Sequence, residues 1–179
     1  MITTAQITAA PLSGSYNEKI YDAPISTNNW TWVKLETNEF ETFYGQFKGA
    51  SLHVALSKQN PHFYVLTDSL LYEISRENPS LYIARDYYDM GGSITNVTLT
   101  PSGKLLLSND YELFQIDTPL CKIDGDLLDS RIEIDNPVHM DTIKFKDWHN
   151  NHLHIQANHF ATNEPIKLYF DAINNKLYK

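Results

Sequence analysis

The sequence lacks the residues that mark several large classes of protein. Of its 179 residues only Cys121 is a cysteine, which excludes an internal disulfide and a cluster of cysteine ligands. The apolar neighbours of Cys121 predict a buried structural thiol. Lys and Arg are scarce, at 14 against 22 Asp and Glu, and the formal net charge is −8. Binding of a nucleic acid backbone needs clustered Lys and Arg, so we expect no nucleic acid partner.

Long apolar runs and familiar catalytic motifs are missing too. No stretch approaches the roughly 20 apolar residues of a membrane helix, and the N-terminal residues lack the basic start of a secretory signal. We therefore expect no membrane partner and a cytoplasmic location. The phosphate-loop, dinucleotide-loop, Gly-x-Ser-x-Gly and His-Glu-x-x-His motifs do not occur in the sequence. Each missing motif removes one large class of enzymes but does not exclude enzymes generally. We expect a protein that is not an enzyme and that needs no cofactor.

What the sequence does contain is a series of short apolar runs rich in Val, Ile, Tyr and Phe. Turn residues such as Asn, Asp, Gly and Pro separate these runs, and helical periodicity is almost lacking. This pattern is typical of all-β proteins. We predict a single all-β domain over residues 30–179, preceded by an extended arm or an outer strand over residues 1–29.

One pattern of three strand-like runs occurs twice, with a spacing of about 43 residues. The first copy comprises residues 54–57, 63–68 and 71–75, and the second comprises residues 97–100, 105–110 and 113–117. A weaker third copy covers residues 143–145, 153–155 and 167–171, and a degenerate one begins near Trp32. A period of about 40–45 residues with four short strands per unit is typical of propeller blades.

Residues 97–117 resemble the first three strands of a blade in WD-repeat β-propellers. Ile116 and Asp117 stand where that family has a Trp-Asp pair, and the Gly-His pair of the family is missing. The resemblance covers residues 50–117 well and residues 142–171 poorly. It implies antiparallel four-stranded meanders that form a small or incomplete β-propeller, and it brings no catalytic residues. A β-sandwich is the alternative fold.

Four histidines lie close together in the sequence: His149, His152, His154 and His159. On a strand, His152 and His154 share one face and can reach one ion. A cupin-like metal motif begins with His-x-His and needs a Glu a few residues later. The nearest one here, Glu164, is too distant. A solvated strand face, with Leu153 and Ile155 packed inside, explains the spacing better, so we expect no metal site.

A candidate binding face is predicted by the order of strands in a meander. Loops that join second and third strands emerge at the same end as loops that lead into first strands. The first kind of loop contributes Asp68, Asn109 and Asp110, and the second kind contributes Tyr87, Tyr88, Asp89 and Asp141. Tyr is enriched in protein interfaces, and acidic charge favours a basic partner. A solvated acidic rim that binds nothing is the alternative interpretation of this face.

These observations suggest a non-catalytic protein-binding module with a basic protein partner. By analogy of size and charge, we expect an acidic immunity or inhibitor protein that neutralises a basic toxin. The alternative is a small hydrolase or a carbohydrate-binding protein with a pocket of His or carboxylate side chains. A structural subunit that completes its sheet with another chain is a third hypothesis.

Overall fold

The chain is an all-β protein, as the spacing of its apolar runs predicts. In a computed structural model, the structure describes residues 1–12, 14–86 and 88–179. The regular structure of this part consists of sixteen strands and two short 3-10 helices. In the described ranges, no helix has the length and apolar character needed to cross a membrane.

The strands form four sheets of four strands each. The first sheet contains β1 (Ile2–Thr8), β2 (Asn17–Tyr21), β3 (Trp30–Thr37) and β4 (Thr42–Lys48). The second contains β5 (Ser51–Leu56), β6 (His62–Thr67), β7 (Leu70–Ser75) and β8 (Tyr82–Asp86). The third contains β9 (Asn96–Leu99), β10 (Leu105–Ser108), β11 (Leu113–Ile116) and β12 (Arg131–Glu133). The fourth contains β13 (Met140–His149), β14 (His152–His159), β15 (Pro165–Asp171) and β16 (Lys176–Tyr178). The 3-10 helices Leu120–Lys122 and Leu127–Ser130 lie between β11 and β12.

The second, third and fourth sheets are antiparallel meanders whose strands pair in chain order. Val54 lies on β5, Val97 on β9 and Ile143 on β13, and these are the first strands of their sheets. The repeated runs of the sequence therefore occupy equivalent positions in three successive sheets. Four separate sheets also differ from the two packed sheets of a β-sandwich.

The first sheet departs from the predicted antiparallel meander. Its order is β1-β3-β4-β2, and β2 runs parallel to β4. Residues 1–29 supply both edge strands, β1 and β2, which lie at opposite sides of the sheet. The central strands β3 and β4 follow later in the chain. Lys48 holds the segment that follows β2: its Nζ lies 2.6 Å from an Asp22 carboxylate oxygen and donates to the carbonyls of Ala23 and Ile25 at 2.6 and 3.2 Å.

Among the described residues, the core consists of three apolar clusters, each shared by two successive sheets. Strand β10 shows why the sheets stack, since side chains on both of its faces are buried. Leu107 packs with residues of the second sheet such as Leu71, whereas Leu106 packs with residues of the fourth such as Leu153. A strand buried on both faces reads as a continuous apolar run, which matches the three adjacent leucines of β10.

Buried polar side chains connect the same sheets. Arg76 is 3% exposed, and its Nε donates to the carbonyl of Ile2 in the first sheet at 3.0 Å. Asn96 is equally buried and reaches the fourth sheet: its Nδ2 donates to the carbonyl of Ile143 at 2.8 Å, and its Oδ1 accepts from the backbone N–H of Phe145 at 3.1 Å. Such bonds are directional, so they set how neighbouring strands align.

Replacing Asn96 should loosen the third sheet from the fourth. Asn96→Ala leaves the Ile143 carbonyl and the Phe145 N–H without their partner, and we expect the free energy of unfolding to fall by about 2–4 kcal/mol. Urea unfolding measures this change. Asn158→Ala is the matched control, because its amide bonds Asn163 at the surface, and its effect should stay within about 0.5 kcal/mol. Equal losses in the two variants would contradict the assigned role of Asn96.

Candidate functional site

Two of the loops expected to form a binding face, those of Asp68 and Asp110, each lie against the start of a first strand, at an end of the sheets here called the upper end. In the second sheet, the Asp68 N–H donates to the carbonyl of Ala50, just before β5, at 2.9 Å. Between the third and fourth sheets, the Ile143 N–H donates to the carbonyl of Asp110 at 3.4 Å. The structure therefore brings the β10–β11 loop against the start of β13.

Asp68 has a structural task at the upper end. One of its carboxylate oxygens, Oδ1, accepts from the Ala50 N–H at 2.9 Å and from the Ser69 hydroxyl at 2.8 Å. The chain turns sharply at Gly49, directly before Ala50. At Gly49 φ is +103°, and an added Cβ would lie 2.3 Å from Thr67 Oγ1. The Asp68 carboxylate thus ties two loops together, which leaves it less free to receive a partner.

Asp110 and Asp141 lie on neighbouring segments and are partly exposed. Asn109 shapes the loop that carries Asp110, because its side-chain oxygen accepts from the N–H groups of Tyr111 and Glu112, both at 2.8 Å. This turn is typical of Asn, whose short side chain bonds its own backbone two residues on. Asn109 therefore contributes to the face by orienting its neighbours.

Two exposed aromatic side chains flank these carboxylates. Tyr111 is 52% exposed and Phe160 is 64% exposed, and both border a cavity of about 260 Å³ that Glu112 and His139 also line. The Phe160 N–H donates to the carbonyl of His139 at 3.0 Å, which places the β14–β15 turn beside the start of β13. We call Asp110, Tyr111, Glu112, Asp141 and Phe160 the acidic-aromatic patch.

Three members of the patch were not among the residues predicted for the binding face: Tyr111, Glu112 and Phe160. The sequence contains one indication that Phe160 is exposed: this large apolar residue comes directly before the turn 161–164, where its own sheet does not cover it. Phe160 lies near Asp141 because β13 pairs with β14. In this pairing Met140 opposes His159 and Asp141 opposes Asn158.

Tyr88 and Asp89 belong to a different group of contacts, and Tyr87 lies outside the described residues. Tyr88 is 91% exposed. The Asp89 carboxylate lies 3.8 Å from Nη1 of Arg85, and its carbonyl accepts from the Leu127 N–H at 2.9 Å. In the part of the chain that the structure describes, no hydrogen bond or ion pair joins Asp89 to the acidic-aromatic patch.

A second cleft lies where the first strands of three sheets come together, and it adds positive charge to the upper end. Its volume is about 350 Å³, and its lining includes His53, Asn96, Asp110, Lys144 and Lys146. Burial lowers the pKa of His53, which favours the neutral ring at neutral pH. The acidic character expected for this face is therefore interrupted by the two lysines.

Three of the four clustered histidines, His149, His152 and His154, lie on the outer face of the fourth sheet, whereas His159 shares the face of Leu153 and has a buried Nδ1. Leu153 and Ile155 are buried against the third sheet, so His152 and His154 lie on the opposite face, which confirms the strand-face interpretation. The His154 ring lies 4.5 Å from that of His149. His152 lies beside Asp171, its Nε2 being 3.8 Å from a carboxylate oxygen.

A cavity of about 550 Å³ opens on the same outer face. Its polar and aromatic lining comprises Lys146, Asp147, His154, Gln156, Lys167 and Tyr169. The rings of His154 and Tyr169 meet edge to face at a centroid distance of 4.8 Å. The cavity therefore offers a hydrogen-bonding surface next to an aromatic ring.

Cys121 is exposed, and the prediction of a buried thiol is wrong. The reason is local: Cys121 lies in the helix Leu120–Lys122, where Leu120 takes the buried position. The thiol lies next to the carboxylate of Glu73, and partial desolvation together with that carboxylate raises the pKa of Cys121. His62 approaches the same two side chains.

Comparisons with known proteins assign no family to this chain. No family model matches the chain, and no curated protein matches it. The resemblance of residues 50–117 to WD-repeat blades therefore stays a prediction.

Removing the carboxylate of Asp68 should destabilise the protein. Asp68→Ala breaks the bonds to Ala50 and Ser69, and we expect the free energy of unfolding to fall by about 1–2 kcal/mol. Asp68→Asn keeps a side-chain oxygen as acceptor and should lose less. The exposed Asp135 provides the control, since Asp135→Ala should change stability by less than about 0.5 kcal/mol in urea unfolding. If Asp68→Ala leaves the free energy of unfolding unchanged, the Asp68 carboxylate does not tie the two loops together and is free for binding.

Proposed function

We propose that this chain is a non-catalytic, cytoplasmic protein-binding module, of the acidic immunity or inhibitor type that neutralises a basic toxin. The observation that carries the proposal is the acidic-aromatic patch. Three carboxylates and two exposed rings lie on the β10–β11 loop, at the start of strand β13, which includes Asp141, and at the β14–β15 turn. A basic protein surface is the partner that this chemistry favours.

The aromatic side chains supply the contact energy in this proposal. Large rings that leave water on binding dominate interface energetics, and Tyr is among the residues enriched at hot spots. Tyr111 and Phe160 present this surface without burial in the free protein. Backbone hydrogen bonds to Asn109 and His139 hold their loops, so little conformational entropy is lost on binding.

The carboxylates supply steering. The chain has a net charge of −8, and Asp110 and Asp141 add partly exposed carboxylates beside the rings, whereas the carboxylate of Glu112 lies 3.9 Å from Nη1 of Arg131. Charge of one sign raises the rate at which an oppositely charged partner arrives, and salt screens that effect. The proposal therefore predicts fast, salt-sensitive association.

Charge reversal within the patch should slow the association of the partner. Asp110→Lys with Asp141→Lys changes the net charge from −8 to −4, and we expect the association rate at low salt to fall about tenfold or more. The salt dependence of the rate should shrink as well. The partner is first captured from cells that make this protein, and surface plasmon resonance over a range of salt concentrations then measures the rate.

The matched control makes the same change of charge at the opposite end of the sheets. Glu39 and Glu77 are exposed and lie in loops near the contact between Ile2 and Arg76. Glu39→Lys with Glu77→Lys also gives a net charge of −4 and should affect the rate much less. If both double variants bind the partner at the rate of the unaltered protein, the patch is not the binding surface.

A second candidate function has its own support in the cavity of the fourth sheet. Tyr169 and His154 offer ring faces and edges, while Gln156, Lys167 and Asp147 offer hydrogen-bonding groups, a combination that suits a carbohydrate. Glycoside hydrolysis generally needs two carboxyl groups. Among the lining residues only Asp147 carries one, which favours binding over hydrolysis.

A glycan array with Tyr169→Ala tests this second candidate. If the cavity binds sugars, the unaltered chain should retain specific glycans, and Tyr169→Ala should weaken that binding about tenfold because it removes the exposed ring surface. Tyr178→Ala is the control, since Tyr178 is similarly exposed on the neighbouring strand β16 but does not line the cavity. The absence of any retained glycan would exclude this function for the sugars tested.

A further inference from the structure

Three side chains of metal-ligand type converge between the second and third sheets. His62 begins β6, Glu73 lies on β7, and Cys121 lies in the helix that follows β11. One ligand atom from each of them lies within 4.8 Å of the other two. They come from three separate elements of two sheets, so their convergence is a product of the tertiary fold. None of the three belongs to the acidic-aromatic patch or to the cavity of the fourth sheet, so a ligand bound here is independent of the proposed function.

Glu73 is the most unusual member of the cluster, because it is a carboxylate only 2% exposed. Its Oε2 accepts from the Tyr64 hydroxyl and from the Leu120 N–H, both at 2.8 Å, and its Oε1 accepts from the Cys121 N–H at 3.1 Å. A carboxylate has about four acceptor positions, so Oε1 retains one for another partner.

The Glu73 carboxylate has no cationic partner from Lys or Arg in the described part of the chain. Buried charges in proteins are paired or coordinate metals. The hydrogen bonds from Tyr64 and Leu120 also orient the carboxylate, as outer-shell partners of metal ligands commonly do.

His62 also has unused binding capacity. Its Nδ1 is buried and has no hydrogen-bond partner in the described structure. A buried ring nitrogen of this kind is normally bonded to protein, water or metal. The thiol of Cys121 is exposed, so an ion can enter the cluster from solvent.

We propose that His62, Glu73 and Cys121 bind a zinc ion. Sulfur, imidazole nitrogen and carboxylate oxygen are the ligand atoms that zinc takes in proteins, whereas calcium and magnesium prefer oxygen alone. Cys121 binds as the thiolate, and its proton passes to solvent. Three protein ligands leave the fourth tetrahedral position to water. This proposal replaces the expectation that the chain holds no metal.

Such an ion would cross-link the second and third sheets. Glu73 already joins them through its bonds to the Leu120 and Cys121 N–H groups. A ligand that binds only the folded state stabilises it in proportion to the logarithm of its concentration over the dissociation constant. Zinc should therefore raise the melting temperature of the metal-free protein.

Titration of the metal-free, reduced protein with zinc chloride tests the site. Isothermal titration calorimetry should show one ion per chain, and Cys121→Ser and His62→Gln should each weaken binding by about tenfold or more. Cobalt as a spectroscopic substitute should give a thiolate-to-metal charge-transfer band that Cys121→Ser removes. The exposed position of Cys121 makes this variant compatible with folding, which circular dichroism checks.

His152→Gln is the matched control for adventitious binding at the outer histidine cluster. It should leave the zinc affinity unchanged, because His152 lies on the far face of the fourth sheet. The proposal is overturned if the protein takes up no zinc at millimolar concentration. It is equally overturned if uptake is unchanged in Cys121→Ser or is lost in His152→Gln.

Discussion

Hydrogen bonding by buried polar side chains between successive sheets is the interaction on which the arrangement of this protein depends. Arg76 joins the first sheet to the second, Glu73 joins the second to the third, and Asn96 joins the third to the fourth. Apolar packing drives the sheets together but is not directional. A buried donor or acceptor without its partner is costly, so these three side chains select one alignment of the sheets.

That alignment places the loops of the upper end. Because Asn96 bonds the backbone of Ile143 and Phe145, the start of β13 lies against the third sheet, and the Asp110 carbonyl reaches the Ile143 N–H. The acidic-aromatic patch is therefore a consequence of the contact between two sheets. The same logic applies at Glu73, where the sheet contact brings a carboxylate, an imidazole and a thiol together.

The candidate site was accessible to sequence reasoning only in part. The meander order correctly brings the loop of Asp110 to the end where β13 begins, since strand alternation alone decides which loops share an end. It does not indicate how each carboxylate is used, and Asp68 turns out to bond Ala50 within the protein. Phe160 was missed because its place beside the patch depends on the pairing of two strands and the turn between them.

The sequence by itself determined the class of fold and the repeated order of strands, because alternation of side chains and turn chemistry act over a few residues. The three leucines of β10 and the Asn109 turn are readable in this way. Tertiary structure decided the crossing of the first sheet, which depends on Lys48 reaching Asp22 and the neighbouring carbonyls. It also decided the exposure of Cys121 and its approach to Glu73, because contacts between residues distant in sequence arise only when the sheets pack.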